Sequence, residues 1–162
     1  MNVPERIAKL RSLMEEKGID IYVVPTADFH QSEYVGEHFK ARKFITGFSG
    51  SAGTAVITKT GAYLWTDGRY FIQAAKQLEG STVELMKMGE PGVPTVEEYC
   101  AKVVPQGGKL GLCGLTASCA LVNSVKKALE TKNAAIKTLF LEDELWTEGR
   151  PALPATPAWI LP

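Results

Sequence analysis

A glycine-rich segment directly before an apolar strand constrains the fold more than any other part of the chain. Residues 47–53, GFSGSAG, place a glycine at every third position and run into 54–58, TAVIT, a composition typical of a β-strand. Gly61 then separates this strand from a second apolar segment, 62–65. Two apolar segments with a short glycine-containing connection predict a β-hairpin.

The glycine-rich segment does not fit three familiar motifs. A P-loop needs GxxxxGK[ST], and a dinucleotide fingerprint needs GxGxxG between a strand and a helix. A nucleophile elbow needs GxSxG, and neither Ser49 nor Ser51 has both glycines at that spacing. A serine hydrolase is therefore disfavoured, and we predict that the glycines form a tight turn with close backbone approach.

The hairpin is followed by TDGRY, residues 66–70, which we predict to begin a helix that continues to Leu78. A side-chain oxygen of Thr66 or Asp67 can accept a hydrogen bond from the first free N–H groups of such a helix. Arg69 has three open interpretations. It is a surface charge, an ion pair with Asp67, or a fork of donors directed at a carbonyl or carboxylate of a ligand.

The polar and aromatic segment 26–34 is predicted to be a loop with at most one helical turn. His30 and Glu33 are three residues apart, a spacing that can place two metal ligands on one helical face. A catalytic zinc or manganese site needs three or more ligands, and His38 is the only other histidine. We therefore favour a hydrogen-bonded loop histidine over a metal ligand and predict no metal site in this chain.

The remaining segments alternate between helical and strand patterns. Helices are predicted at 4–17, 37–45, 116–129 and 141–146. A capping box at Thr95 and Glu98 predicts the start of a further helix. Strands are predicted at 19–24, 82–88, 109–113 and 135–139. This order is typical of an α/β fold with a central sheet and flanking helices.

Charge and cysteine content exclude several classes of function. Eighteen basic and eighteen acidic residues give a net charge of zero, which provides no global attraction for nucleic acid or an anionic membrane. The short basic run at Lys40, Arg42 and Lys43 is predicted to be a solvated face rather than a specific anion site. Three cysteines without a CxxC pair indicate reduced thiols in a cytoplasmic protein. The first residues lack the apolar core of a signal peptide, and no stretch is long enough to span a bilayer.

Residues 150–162 carry four of the nine prolines and differ in character from the rest. This composition is typical of a linker. We therefore expect one domain over residues 1–149 and a proline-rich linker at 150–162 that leads to a second domain absent from this sequence.

Five segments in order along the chain resemble the N-terminal domain of the aminopeptidase P (Xaa-Pro aminopeptidase) family, in the creatinase/prolidase superfamily. They are DFHQSEY (28–34), GFSGSAGTAVIT (47–58), LWTDGRYFIQAAKQL (64–78), LMKMG (85–89) and LWTEGRPALP (145–154). The resemblance implies a central mixed six-stranded sheet with helices on both faces. It also implies a non-catalytic domain that contributes to oligomer assembly and to the substrate entrance.

The resemblance further implies a role for individual residues. The family's substrate-contacting arginine falls on Arg69, and the histidine of its DxHxSEY loop falls on His30. Their supporting loop residues are Asp67, Gly68, Tyr70, Ser32, Glu33 and Tyr34.

Catalysis in the family uses two divalent metals, usually manganese, held by two Asp, one His and two Glu of a separate catalytic domain. The expected partners are that domain of the full-length chain, a proline-containing peptide and a second copy of the protein. Because the catalytic domain is missing here, we expect the chain alone to be inactive. The alternative is a catalytically dead protein-binding module of the same superfamily, such as the large subunit of a histone chaperone. Neutral charge without an acidic tail weighs against histone binding.

Overall fold

The computed structural model describes residues 1–161, in which one six-stranded mixed sheet lies at the centre. Its strands are β1 (Ile21–Pro25), β2 (Thr54–Thr58), β3 (Ala62–Thr66), β4 (Glu84–Lys87), β5 (Lys109–Cys113) and β6 (Ala135–Leu139). The spatial order is β4-β3-β2-β1-β5-β6. The pairs β1–β2 and β2–β3 are antiparallel, and the pairs β3–β4, β1–β5 and β5–β6 are parallel.

Helices cover both faces of this sheet. The α-helices are α1 (Val3–Glu16), α2 (Ala41–Thr46), α3 (Phe71–Gln77), α4 (Val96–Val103), α5 (Cys119–Leu129) and α6 (Leu141–Leu145). Short 3-10 helices occur at Glu37–Phe39, Gly68–Tyr70 and Glu130–Lys132. None of these helices combines the length and the apolar character needed to cross a bilayer.

The alternation of side chains along β1 explains why there are two core layers. Tyr22 and Val24 belong to the cluster that includes residues of α1, α2, α3 and α6, whereas Ile21 and Val23 belong to the cluster that includes residues of α4 and α5. Successive residues of a strand point to opposite faces, so an unbroken apolar strand requires cover on both sides. The predicted mixed six-stranded sheet with helices on both faces is therefore confirmed.

Local sequence signals located several elements correctly. The hairpin joins β2 to β3 with Ile57 opposite Ala62, and β5 and β6 have the predicted bounds. Thr95 and Glu98 form the predicted capping box before α4, with each side chain accepting a hydrogen bond from the other residue's backbone N–H. These features depend on residues close together in sequence, which is why periodicity and capping rules found them.

Other boundaries differ from the predictions for identifiable reasons. The helix predicted at 37–45 is split in two, because Lys40 has non-helical backbone angles between the first 3-10 helix and α2. The helix predicted from residue 116 begins at Cys119, because the Ser118 hydroxyl caps it by accepting from the Leu121 N–H. The strand predicted at 19–24 begins at Ile21, since the Ile19 N–H still bonds to the Met14 carbonyl at the end of α1.

The segment 26–34 is a loop, as predicted, and it contains no helical turn. The strand predicted at 82–88 is shorter and comprises only β4. Residues 151–161 contain no helix or strand and are exposed. Their assignment as a linker remains a prediction.

A buried carboxyl group on α6 makes stability depend on pH. Burial raises the pKa of Glu142, and the hydrogen bond that Tyr22 Oη donates to its Oε2 over 2.7 Å opposes that shift. A carboxyl whose pKa is raised by folding contributes stability at low pH, and this contribution is lost as the pH rises from the ordinary value of 4.5 through the folded-state pKa. The carboxyl groups of Asp20 and Asp28 have lowered pKa values, so they change the stability of the domain only at pH values below that window.

We expect Glu142→Gln to flatten the pH dependence of unfolding as the pH rises above the ordinary carboxyl value of 4.5. The amide keeps an oxygen acceptor for Tyr22 Oη but carries no charge, so the variant should gain free energy of unfolding relative to the wild type as the pH rises. Urea denaturation at four pH values measures this difference. Glu148→Gln, at an exposed position without an ion pair in residues 1–161, is the control. Parallel curves for Glu142→Gln and wild type would contradict the assignment.

Candidate functional site

Residues 67–70, which directly follow β3, form a short turn that we call the tip. The Asp67 carboxylate accepts a hydrogen bond from the Arg69 N–H over 3.1 Å and so caps the 3-10 helix Gly68–Tyr70. Thr66 is buried, and its hydroxyl donates to the Ala52 carbonyl over 2.7 Å. The cap expected at this turn is present, and it acts on a 3-10 helix that continues into α3.

Arg69 pairs with Asp67 through two parallel hydrogen bonds. Arg69 Nε lies 2.8 Å from Oδ1 of Asp67, and Nη2 lies 2.9 Å from Oδ2. The bond from Arg69 lowers the pKa of Asp67 to about 2, and the same contact raises the pKa of Arg69. Arg69 Nη1 donates to no other residue in the described chain, and 70% of the side chain is exposed. The pair thus fixes one edge of the guanidinium and leaves the other edge available.

Tyr70 connects this tip to the glycine-rich turn. Its hydroxyl lies 2.6 Å from Ser51 Oγ, and its ring meets the buried Phe48 ring edge to face at a centroid distance of 5.8 Å. Ser49 Oγ accepts from the side-chain amides of Gln73 and Gln77 on α3. The turn is therefore held by side chains from both the tip and the helix that follows it.

These contacts also bear on the serine-hydrolase hypothesis. Ser51 Oγ is engaged with a tyrosine hydroxyl, and Ser49 Oγ is engaged with two glutamines. Within residues 1–161, no histidine forms a hydrogen bond with either serine. Neither hydroxyl has the base that a serine nucleophile requires.

The loop that carries His30 is organised by Asp28. The Asp28 carboxylate accepts from the backbone N–H of Ser32 over 3.0 Å and of His30 over 2.9 Å, and these bonds lower its pKa. Gln31 has a φ of 56° and donates through Nε2 to the Thr116 carbonyl over 2.7 Å. His30 and Ser32 are exposed on a loop whose backbone is fixed from within.

A cleft of about 190 Å³ lies between this loop and the glycine-rich turn. Glu33 and Tyr34 line one part of it, and residues 49–51 line another. Arg69 and His30 do not line the cleft, although Glu33 contributes, after Asp67, to the raised pKa of Arg69. The structure thus brings the 28–34 loop and the tip to one region. The cleft lies between Glu33 and Ser51, and Ser51 is hydrogen-bonded to Tyr70.

The structure offers no third ligand that could join His30 and Glu33 at a metal site within residues 1–161. Among residues 1–161, no group of three or more His, Cys, Asp or Glu side chains could hold a metal ion. The other histidine, His38, has its Nδ1 only 2.8 Å from the Pro151 carbonyl oxygen.

The prediction of a solvated basic run is wrong for Arg42. This side chain is only 4% exposed and donates to the carbonyls of Phe48 and Gly50 and to Thr26 Oγ1. Arg42, Ile45 and Thr46 are all buried at i, i+3 and i+4 spacing on α2. That spacing was the signal in the sequence that could have placed Arg42 inside.

Comparison with known proteins gives consistent matches over almost the whole chain. The model of the Creatinase/Prolidase N-terminal domain matches residues 6–142. Aminopeptidase P2 of Arabidopsis thaliana is 44% identical over 158 residues, covering 94% of this chain and 22% of the relative. The chain spans about a quarter of the length of the curated relatives that it matches.

Two solved structures have the same fold. X-prolyl aminopeptidase from Caenorhabditis elegans, a cytosolic enzyme with a di-nuclear active site, superposes with a TM-score of 0.86 and 34% identity. That match covers 95% of this chain and 27% of the enzyme. The N-terminal domain of the cytoplasmic peptidase PepQ from Mycobacterium tuberculosis superposes with a TM-score of 0.62 and 26% identity, covering 87% of this chain and 97% of that domain.

Proposed function

This chain belongs to the Creatinase/Prolidase N-terminal domain family, and we propose that it is the non-catalytic N-terminal domain of a metallo-aminopeptidase. The proposed reaction of the full-length protein is removal of the N-terminal residue from peptides with proline in second position. The relatives and the Caenorhabditis elegans structure that support this proposal are Xaa-Pro aminopeptidases that extend well beyond the matched region.

The fixed orientation of the Arg69 guanidinium is the observation that supports a role for this chain in that reaction. We propose that Arg69 contacts the peptide at the substrate entrance, with His30 on the neighbouring loop as a second contact. The pair with Asp67 holds the guanidinium in one orientation, while Nη1 retains donors for a peptide carbonyl or carboxylate. Tyr70 and Gly68 support the tip, and Ser32, Glu33 and Tyr34 support the opposite loop.

The metal chemistry belongs to another part of the full-length protein in this proposal. Two divalent ions, which we propose to be manganese, would be held by the catalytic domain, consistent with the di-nuclear site of the Caenorhabditis elegans enzyme. Residues 1–161 supply no cluster of metal ligands for such a pair. The proposed partners are that catalytic domain, a proline-containing peptide and a second copy of the protein in a cytosolic homo-oligomer.

We expect the purified 162-residue chain to release no N-terminal residue from an Xaa-Pro peptide in the presence of Mn²⁺. The full-length protein should release it, and a chelator should abolish that release, because the chemistry requires the metal ligands of the catalytic domain. Liquid chromatography of the products measures both outcomes. Metal-dependent release by the 162-residue chain would overturn the non-catalytic assignment.

The protein-binding module of the same superfamily is distinguished by the same assay. A full-length protein that lacks the two Asp, one His and two Glu would be inactive under every metal condition. Activity of the full-length protein would exclude that alternative.

A further inference from the structure

The cleft between the 28–34 loop and the glycine-rich turn has an excess of positive charge. Three cations, Lys40, Arg42 and Lys43, line it together with one carboxylate, Glu33. Lys40 pairs with Glu37, which does not line the cleft. Lys43 is exposed and forms no ion pair within residues 1–161.

Arg42 is a buried cation without a counter-ion in the described chain. Its three bonded acceptors are the carbonyls of Phe48 and Gly50 and the hydroxyl of Thr26, all of which are neutral. Burial lowers the pKa of Arg42 to about 10, so the guanidinium remains charged at neutral pH. Buried charges in proteins are usually paired, and a charge that is hydrogen-bonded but not neutralised favours an anion nearby.

The turn that lines the cleft also has unused backbone donors. The N–H groups of Gly50 and Ser51 donate to no acceptor among residues 1–161, and Gly50 is buried. The cleft therefore combines free donors with an unbalanced positive charge, the two features that bind oxyanions.

We propose that this cleft binds a carboxylate anion. A carboxylate accepts several hydrogen bonds, which matches the donors of Gly50 and Ser51, and its single negative charge complements the unneutralised Arg42 and Lys43. A phosphate dianion fits less well, because Glu33 in the cleft repels the second charge. This inference is independent of the proposed peptidase function, since it concerns binding to the chain itself.

Acetate is the probe, and ¹H–¹⁵N NMR of the 162-residue chain is the measurement. Isolated N-terminal domains of this fold are stable enough to crystallise, as the Mycobacterium tuberculosis domain shows. Chloride is replaced by acetate at constant ionic strength, so that general screening does not change. We expect the Gly50 and Ser51 amide signals to shift and saturate with a dissociation constant on the order of 1–10 mM.

Charge variants of the cleft should change this constant in opposite directions. Lys43→Gln is expected to weaken acetate binding about two- to fivefold, and Glu33→Gln to tighten it by a similar factor. Lys76→Gln is the matched control, because Lys76 is an exposed lysine on α3 that does not line the cleft. None of these exposed side chains is part of the core, so the fold should be retained.

Three results would overturn the proposal: non-saturating shifts, identical dissociation constants in all variants, or tighter binding of phosphate than of acetate at these amides.

A peptide carboxylate and an Asp or Glu side chain elsewhere in a longer chain present the same chemistry. Repeating the titration on the full-length protein distinguishes them. Saturable acetate binding to the full-length protein indicates that the site takes an anion from solution. Acetate binding that the 162-residue chain shows and the full-length protein lacks indicates that a carboxylate of the protein itself occupies the cleft.

Discussion

Arg69→Ala in the full-length protein is expected to lower kcat/KM for Xaa-Pro peptides by about 10- to 150-fold. Removing a hydrogen bond that involves a charged group costs about 1.5–3 kcal/mol, which corresponds to that range. The side chain is largely exposed, and its contacts are with Asp67 and the neighbouring Tyr70 ring. The loss should therefore appear in catalysis and not in the stability of the domain.

Two further variants separate the contributions of charge and geometry at this position. Arg69→Lys keeps the positive charge but loses the planar fork, so it should recover only part of the activity. Asp67→Asn keeps an oxygen that can cap the 3-10 helix but removes the ion pair, so Arg69 loses its fixed orientation. We expect Asp67→Asn to fall between the wild type and Arg69→Ala.

Steady-state kinetics with a proline-containing peptide checks these expectations, with thermal unfolding recorded for every variant. Lys76→Ala on α3 is a suitable control, because it removes an exposed cation away from the tip. An unchanged kcat/KM for a correctly folded Arg69→Ala protein would exclude Arg69 from substrate contact.

The parts of the fold that could be predicted from the sequence are those fixed by neighbouring residues. The β2–β3 hairpin follows from two apolar segments around Gly61, and the α4 cap follows from Thr95 and Glu98. The ion pair of Arg69 with Asp67 was one of three interpretations that remained open. Its partners are two residues apart, but only the structure shows that the two side chains meet.

The cleft could not be predicted, because it depends on residues distant in sequence. Glu33 lies opposite Ser51 only when the sheet places the 28–34 loop beside the turn. The burial of Arg42 likewise depends on carbonyl acceptors at Phe48 and Gly50, which become available only after the turn has folded back over α2. From the sequence alone such an arginine is expected at the surface, because arginines are rarely buried without partners.

Gly50→Ala is expected to destabilise the domain by about 1–3 kcal/mol, because an added methyl group has no space in the turn. A Cβ at this position would overlap Phe48 Cζ and lie 2.8 Å from Tyr70 Cδ1. Phe48 is fully buried beneath Arg42, and Tyr70 is held by Ser51, so neither ring can move freely. The conformation of Gly50 is not left-handed, so the effect measures packing and not backbone strain.

Thermal unfolding of the 162-residue chain measures this loss, with an expected decrease in Tm of about 2–4 °C for each kcal/mol. Gly36→Ala is the matched control, since its nearest neighbour would be Phe39 Cδ2 at an ordinary 3.8 Å. Equal Tm values for Gly50→Ala and Gly36→Ala would contradict the tight-turn interpretation. Because the displaced Tyr70 carries Arg69 beside it, Gly50→Ala should also lower kcat/KM of the full-length protein at temperatures where the variant is still folded. Activity that is lost while the fold persists would connect the glycine-rich turn to substrate contact through the position of the tip.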